Sequence, residues 1–284
     1  MMNVRTIAEL RKVLGPARRD ARIIGLVPTM GALHEGHLSL LRAAREDCDV
    51  VVMSLFVNPA QFGAGEDLEG YPRDEDRDLG LAAAEGVDLV FAPMVEEIYP
   101  PGFATTVEVE GLTDVLCGDP ARRGSAHFRG VTTVVAKLLN CVRPDRCYFG
   151  QKDAQQAIVI RRMVRDLAFA VDVVVRPTVR EPDGLAMSSR NAYLDPADRE
   201  RAVALSRALA AARETARPGA GVDDALAAAR RQLEATGVEP EYLEARDAED
   251  LASVSTFNGR PVLVAVAARV GRARLIDNIV IGGS

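Results

Sequence analysis

Short apolar segments alternate with amphipathic segments along most of the chain, and this alternation restricts the folds that the sequence can adopt. The apolar segments have the length of buried strands, whereas the segments between them space their apolar residues for one face of a helix. The strand-like segments are 23–27, 50–56, 88–91, 147–149 and 171–175, and the helical segments are 38–48, 72–85, 132–141 and 154–167. Such alternation predicts a mostly parallel sheet covered by helices on both faces, with ligands at the carboxyl ends of its strands.

The pattern changes beyond Arg190, where alanine- and arginine-rich helices precede further strand-like runs. The predicted elements are helices at 199–215 and 223–236, a linker at 217–221, and strands at 262–270 and 275–281. We therefore predict an α/β protein of two domains, residues 1–184 and 185–284, the second being a smaller α+β domain.

Composition argues against several classes of function. With 284 residues and 48% hydrophobic content the chain can bury a sizeable core, and no window reaches the ~20 apolar residues of a membrane span. The four cysteines lie far apart, which predicts reduced thiols rather than a disulfide framework or a zinc knuckle. A formal charge of -6 disfavours a nucleic-acid partner. Since we also recognise no secretory signal, we expect a cytoplasmic protein that acts on small molecules, without a nucleic-acid or membrane partner.

Two of the three histidines, His34 and His37, flank Gly36 where a predicted strand passes into a predicted helix. Unpaired backbone N–H groups and the positive end of a helix attract phosphate at such a crossing, and residues three apart share a helix face. A plain structural role for the histidines is one alternative. Metal ligation is another, but the zinc-protease pattern spaces its histidines four apart and no third ligand is evident.

Three more polar clusters follow predicted strands or loops, at 58–61, 150–156 and 187–190. Lys152 is one of only three lysines in a chain that otherwise uses arginine, and a compact ammonium suits a phosphate oxygen. A solvated surface lysine and a commonplace Ser-Ser-Arg turn are the simpler interpretations of each cluster alone. The parallel sheet would gather all of the clusters at one edge.

The complete set of motifs resembles that of the pantothenate synthetase (pantoate:beta-alanine ligase) family. In order, these are PTMGALHEGH at 28–37, FVNPAQF at 56–62, YPR at 71–73, HFRGV at 127–131, FGQKD at 149–153 and MSSRN at 187–191. The segment HEGH is similar to the HxGH signature of the nucleotidyltransferase superfamily, and 187–190 is similar to its mobile KMSKS-type loop. The resemblance implies a Rossmann-like N-terminal domain, a smaller C-terminal domain that closes over ATP, and a homodimer.

The activity that this resemblance implies is the ATP-dependent condensation of (R)-pantoate with beta-alanine through a pantoyl-adenylate, with release of pyrophosphate and then AMP. The residues expected to line the ATP site are Pro28, Met30, Gly31, Ala32, Leu33, His34, Glu35, Gly36, His37, Gly150, Gln151, Lys152, Asp153, Val179, Met187, Ser188, Ser189 and Arg190. Gln61, Gln156 and Met30 are expected to bind pantoate, and Gln61 also beta-alanine.

A pantoate carboxylate is already ionised at neutral pH, so its attack on the α-phosphorus needs no general base. We expect catalysis by charge stabilisation from six side chains: His34, His37, Lys152, Ser188, Ser189 and Arg190. His37 is further expected to protonate or neutralise an oxygen. Magnesium is expected with the nucleotide phosphates. The acidic run at 74–78 is either a solvated helix face or the source of its protein ligand, for which Asp78 is the candidate. The loop at 117–129 is expected to act as a lid, with His127 and Arg129 structural at its base.

Two other classes of function remain open at this stage. One is a nucleotidyltransferase that transfers AMP or CMP to a phosphorylated acceptor, which would require an additional basic pocket. The other is a non-catalytic nucleotide-sensing or RNA-binding module.

Overall fold

The computed structural model describes residues 1–63, 68–122 and 124–283, and these contain two sheets. The elements are β1 (Met2–Val4), α1 (Ile7–Arg19), β2 (Ile24–Thr29), α2 (Glu35–Asp47), β3 (Val50–Leu55), α3 (Glu75–Ala84), β4 (Leu89–Phe91), α4 (Val95–Ile98), α5 (Ser125–Val142), β5 (Arg146–Gly150), α6 (Ala154–Asp166), β6 (Asp172–Arg176), α7 (Pro196–Ala202), α8 (Ala204–Thr215), α9 (Val222–Glu234), β7 (Pro240–Asp247), β8 (Val262–Val270) and β9 (Ala273–Ile281). Within the described ranges, no helix is both long and apolar enough to cross a membrane.

The first sheet has six parallel strands in the order β1-β4-β3-β2-β5-β6. From β2 the chain moves outward through β3 to β4, whereas β5 and β6 add to the other side of β2. The strand order therefore reverses between β2 and β5. In open parallel sheets a crevice forms at the carboxyl ends of the strands at such a reversal, so the segments that follow β2 and β5 meet there.

Alternate residues of the central strands enter two different apolar cores. Leu26 and Val52 pack in the core that contains α1, α5 and α6, whereas Val27, Val51 and Met53 pack in the core beneath α2. A strand buried on both faces needs a nearly continuous apolar sequence, which explains why these strands could be recognised as short apolar runs.

The second sheet is antiparallel, in the order β7-β8-β9. One face of β8, with Leu263 and Ala265, joins the core of the large domain. The other face, with Val262 and Val264, packs with α8 and α9. The predicted α/β class, with a Rossmann-like parallel sheet and a smaller α+β part, is confirmed. Leu185 packs in the α8 and α9 core, while the boundary between residues 184 and 185 stays a prediction.

Some predicted boundaries are wrong. The helix predicted at 199–215 is two helices, α7 and α8, separated at Val203. The helix predicted at 132–141 begins earlier, at Ser125, so part of the expected lid is helical.

The start of the expected lid is held against α6 by a buried amide. The N–H of Cys117 donates to Gln155 Oε1 at 3.0 Å, and Gln155 Nε2 donates to the carbonyls of Leu112 and Val115 at 3.0 and 2.7 Å. A Cβ at Gly118 would lie 1.9 Å from the Thr113 carbonyl oxygen. This turn is thus a packed support rather than a hinge, and Arg123 of the expected lid lies outside the described residues.

Candidate active site

The turn after β2 has a shape that α3 fixes through one buried carboxylate. Gly31 and Ala32 have φ values of 86° and 51°, and their conformation directs the N–H groups of Ala32 and Leu33 toward Asp78. Each of the two carboxylate oxygens accepts one of these N–H groups at 2.8 Å. A Cβ at Gly31 would lie 2.9 Å from Asp78 Oδ2, so glycine is required by space as well as by φ.

The same contacts count against the expectation that Asp78 binds a metal ion. Asp78 is 1% exposed, and both of its oxygens are engaged by the backbone turn. Among the residues that the structure describes, no group of three or more His, Cys, Asp or Glu side chains is arranged to hold a metal ion. Asp78 therefore supports the turn after β2 by accepting hydrogen bonds from its backbone.

The two histidines begin α2 and lie against each other. His34 Nδ1 accepts the N–H of Gly36 at 3.1 Å and caps the helix, and His37 Nδ1 faces the N–H of His34 at 3.4 Å. The ring centroids are 4.1 Å apart. Because each Nδ1 faces an N–H donor, each neutral ring carries its proton on Nε2. A Cβ at Gly36 would lie 2.9 Å from the His34 ring, so this glycine permits the cap.

Both histidines are neutral at physiological pH. Burial, and then the charge of Lys152, lowers the pKa of His34 to about 4. Burial, and then His34, lowers the pKa of His37 to about 3. These pKa values count against the expectation that His37 protonates an oxygen in the free protein, in which both rings offer neutral Nε2–H hydrogen bonds to a ligand.

Lys152 lies in a helical turn after β5 that β9 holds in place. Asn278 Nδ2 donates to the carbonyls of Gln151 and Lys152, both at 2.9 Å, and Asn278 Oδ1 accepts from Gln151 Nε2 at 2.9 Å. Burial raises the pKa of Asp153, but Lys152, Arg190 and His37 outweigh burial and lower it. Asp153 is thus ionised beside the ammonium, 3.6 Å from Nζ.

Asn278 and its neighbour Asp277 were not predicted as site residues from the sequence. Asp277 is 3% exposed and accepts two hydrogen bonds from Arg180, at 2.7 and 3.0 Å. The only sequence signal was two consecutive polar residues inside an apolar strand. The pair connects β9 both to the Lys152 turn and to the segment that leads into Met187–Arg190.

Gln61 is held at the first turn after β3 by Asn58, which is itself held by neighbouring groups, and by His127. Asn58 Nδ2 donates to Gln61 Oε1 at 2.9 Å and to the Gly130 carbonyl at 3.1 Å, while Tyr99 donates to Asn58 Oδ1 at 2.7 Å. His127 Nδ1 lies 2.8 Å from the Gln61 carbonyl. This contact gives His127 a structural use, while its expected role with Arg129 at the base of a lid stays a prediction.

A cavity of about 240 Å³ opens where these segments meet. The predicted site residues that line it are Pro28, Met30, His34, Gly36, His37, Gln61, Gly150, Lys152, Asp153, Gln156, Val179, Met187, Ser188, Ser189 and Arg190. Gly31, Ala32, Leu33, Glu35 and Gln151 are not among its lining residues. Leu33 is buried in the core, Glu35 pairs with Arg42, and Gln151 is bonded to Asn278.

The cavity has an apolar wall and two hydroxyl groups that sequence analysis did not identify. The wall is formed by Leu40, Phe56, Val131, Val134, Val135, Leu138 and Phe149. The Ser54 and Thr178 hydroxyls also belong to the lining, and both are buried without a hydrogen-bond partner in the part of the chain that the structure describes. Buried hydroxyls are normally satisfied, so this pair suits a ligand with polar atoms on an apolar body.

Comparisons with known proteins agree over nearly the whole chain. The family model described as "Pantoate-beta-alanine ligase" matches residues 2–280. The pantothenate synthetase of Moorella thermoacetica is 55% identical over 282 residues, which are 98% of each chain.

Two solved structures are also similar to this chain. A pantothenate synthetase from Thermus thermophilus has a TM-score of 0.91 at 52% identity, covering 98% of this chain and 99% of that one. A pantoate-beta-alanine ligase from Francisella tularensis, described as complexed with beta-gamma ATP and beta-alanine, has a TM-score of 0.80 at 32% identity and covers 98% and 97% of the two chains.

Proposed function

The chain belongs to the pantoate-beta-alanine ligase family, a family of enzymes, and on that premise we propose that it makes pantothenate from (R)-pantoate, beta-alanine and ATP through a pantoyl-adenylate. One observation carries the proposal. A single cavity combines neutral imidazole donors, an ammonium and a Ser-Ser-Arg segment with an apolar wall and two glutamines.

The acid-binding half of the cavity suits a branched hydroxy-acid. The dimethyl-substituted carbon of pantoate would lie against Val134, Val135 and Leu138 of α5. Gln61 and Gln156 would bind its hydroxyl and carboxylate oxygens without neutralising the nucleophile. The unpartnered Ser54 hydroxyl offers one further hydrogen bond at the end of β3. A phosphorylated acceptor would require cations in this half, where the wall is apolar.

In the first half-reaction, the pantoate carboxylate attacks the α-phosphorus of ATP and pyrophosphate departs. Negative charge that builds on the phosphate oxygens would be stabilised by His34, His37 and Lys152 from one side, and by the Ser188–Arg190 segment from the other. The low pKa values of the histidines are useful here, because neutral N–H donors bind oxygens without donating a proton to the leaving group. Each donor would contribute about 2 to 4 kcal/mol to the fall in the barrier.

In the second half-reaction, the neutral amine of beta-alanine attacks the acyl carbon of the adenylate, AMP departs, and the nitrogen releases one proton to solvent. Gln61 would lie close to the incoming amine as well as to pantoate. The Francisella tularensis relative, described as complexed with beta-gamma ATP and beta-alanine, supports both substrates for this chain.

Magnesium would enter as part of the nucleotide substrate, since phosphate oxygens are its usual ligands in such sites. The steps above depend on the side chains of this protein alone. A homodimer, a cytoplasmic location and closure of the smaller domain over ATP remain predictions.

A pantoate-dependent ATP–pyrophosphate exchange assay tests the proposal. Exchange that requires pantoate but not beta-alanine is the expected result, since only the adenylate-forming step returns label to ATP. Exchange that is independent of pantoate, or that occurs with a phosphorylated acceptor instead, would overturn it. Absence of any exchange would favour the non-catalytic alternative.

A further inference from the structure

A second cavity, of about 470 Å³, adjoins the first one on the side of the smaller sheet. Lys152, Asp153, Gln156 and the Ser188–Arg190 segment are among the residues that line both cavities, and they lie at the border between them. The far side of the second cavity is formed by the β8–β9 hairpin, which contributes Arg269, Arg272 and Arg274. We call this second cavity the arginine chamber.

The arginine chamber is positively charged in a protein of net charge -6. Among the described residues that line it, five are lysine or arginine and two are carboxylates: Lys152, Arg190, Arg269, Arg272 and Arg274 against Asp153 and Asp277. Asp277 is already bound by both terminal nitrogens of Arg180. Although the protein as a whole is acidic, the positive charge of the arginine chamber raises the local concentration of anions there.

The hairpin concentrates arginines where its own geometry disfavours them. Arg269 and Arg274 are paired directly across the two strands, and Arg272 lies in the two-residue turn next to them. Like charges opposite each other destabilise an antiparallel pair. Arg274 is compensated by Glu241 at 2.7 Å. The side chains of Arg269 and Arg272 make no ion pair or hydrogen bond with the rest of the described chain, and both residues are exposed.

We propose that the arginine chamber binds inorganic pyrophosphate as it leaves the catalytic cavity. The inference rests on the proposed function, because that reaction releases pyrophosphate beside Lys152 and Arg190, at the border of the chamber. Guanidinium groups present paired donors that match phosphate oxygens, and several of them within a few residues suit a polyanion better than a monoanion. The two uncompensated arginines of the hairpin gain the anionic partner that the described part of the protein does not supply.

The test is product inhibition by pyrophosphate in the double variant Arg269→Gln/Arg272→Gln. Each exposed charge pair changes affinity up to about fivefold, so we expect the inhibition constant of pyrophosphate to rise about tenfold. The KM values for pantoate and beta-alanine should stay within about twofold, since neither Arg269 nor Arg272 lines the cavity proposed to bind these two substrates. Pyrophosphate inhibition of the unmodified enzyme should also weaken as salt is raised, and this salt dependence should be smaller in the variant.

Two further variants control the experiment. Arg230→Gln removes an exposed arginine from α9, away from the chamber, and should leave the inhibition constant unchanged. Arg269→Lys/Arg272→Lys retains the charges and should recover most of the lost affinity if charge is the cause. An inhibition constant for the glutamine double variant equal to that of the unmodified enzyme would overturn the proposal.

Direct titration of pyrophosphate alone, followed by calorimetry, separates this proposal from the proposed function. If the unmodified enzyme catalyses exchange but the double variant binds pyrophosphate as tightly as the unmodified enzyme, the proposal for the arginine chamber is wrong and the proposed function stands. If exchange is absent but the double variant has lost pyrophosphate binding, the chamber stands and the function is wrong. Far-ultraviolet circular dichroism on each variant confirms that a loss of binding is not a loss of fold.

Discussion

Replacing Asp78 by asparagine is the sharpest test of how the turn after β2 is built. The substitution keeps size and shape, so no cavity forms, but it replaces one carboxylate oxygen by an NH₂ group. One backbone N–H of Ala32 or Leu33 would then face another donor, and the other would lose its charged acceptor. Hydrogen bonds to charged groups contribute about 1.5 to 3 kcal/mol each, and leaving a buried donor unpaired costs about 1 to 3 kcal/mol.

We expect Asp78→Asn to lower the free energy of unfolding by about 3 kcal/mol. At about 2 to 4 °C per kcal/mol for a protein of this size, Tm should fall by about 6 to 12 °C. Because the turn at residues 30–33 shapes the proposed ATP site, KM for ATP should rise more than KM for pantoate. Denaturant titration measures the first effect, and initial rates at varied substrate concentrations measure the second.

Asp76→Asn is the matched control, since Asp76 is exposed on the same helix and loses the same charge. Its stability and KM values should be those of the unmodified enzyme. If Asp78→Asn were as stable as Asp76→Asn, the two hydrogen bonds would not contribute as argued. Recovery of activity at high magnesium concentration would instead restore the metal-ligand interpretation that these contacts disfavour.

Three further predictions concern the proposed catalytic groups and their supports, and a fourth concerns the amine step. His37→Ala and Lys152→Ala should each lower kcat for adenylate formation by about 10² or more while the fold persists, and near-normal exchange rates would refute their roles. Asn278→Ala removes three hydrogen bonds at the Lys152 turn and should lower the free energy of unfolding by about 2 to 3 kcal/mol. The fall in kcat should be larger than the rise in KM for pantoate. An unchanged kcat would mean that the turn keeps its conformation without Asn278. The pKa values of His34 and His37 in the folded protein lie near 4 and 3, below the unfolded value of 6.5. The free energy of unfolding should therefore fall as pH drops from about 6.5 toward those values. Denaturant titrations from pH 7 to 4 should show a flatter dependence of this free energy on pH for His34→Gln/His37→Gln. The rate of the amine step should rise from pH 7 toward 9, because an alkylamine with a pKa near ~10.4 is mostly protonated at neutrality, and a flat profile would count against rate-limiting attack by the free amine.

The sheet could be predicted from the sequence because its strands are buried on both faces. When helices separate them, continuous apolar runs such as the one in β3 have few structural interpretations other than buried strands of a parallel sheet. The start of α5 could not be predicted, since Gly124 and Gly130 are ordinary loop signals. Gly130 is instead inside the helix, where a Cβ would lie 2.1 Å from the Ala60 carbonyl oxygen. The glycine is required by close packing, which only the tertiary structure reveals.

The proposed catalytic side chains could also be predicted from the sequence, whereas the residues that support them could not. His34, His37, Lys152 and Arg190 stand in motifs that follow strands or loops, so the parallel topology alone predicts that they meet. Asp78 and Asn278 act from positions far away in sequence, through hydrogen bonds to the backbone of other segments. Such residues carry no local pattern. From the sequence, Asp78 was therefore expected to be a metal ligand or part of a solvated helix face, and Asn278 was not predicted at all.

The two-sided burial of β8 has a consequence for attempts to shorten the enzyme. Truncation after the Ser-Ser-Arg segment would remove the strands that cover part of the large domain's interior, together with the asparagine that holds the lysine turn. A minimal fragment built from the parallel sheet alone would therefore expose apolar surface, aggregate readily and bind phosphate with a poorly ordered lysine. Engineering of a smaller catalyst should therefore retain the C-terminal hairpin together with α8 and α9, which cover its other face.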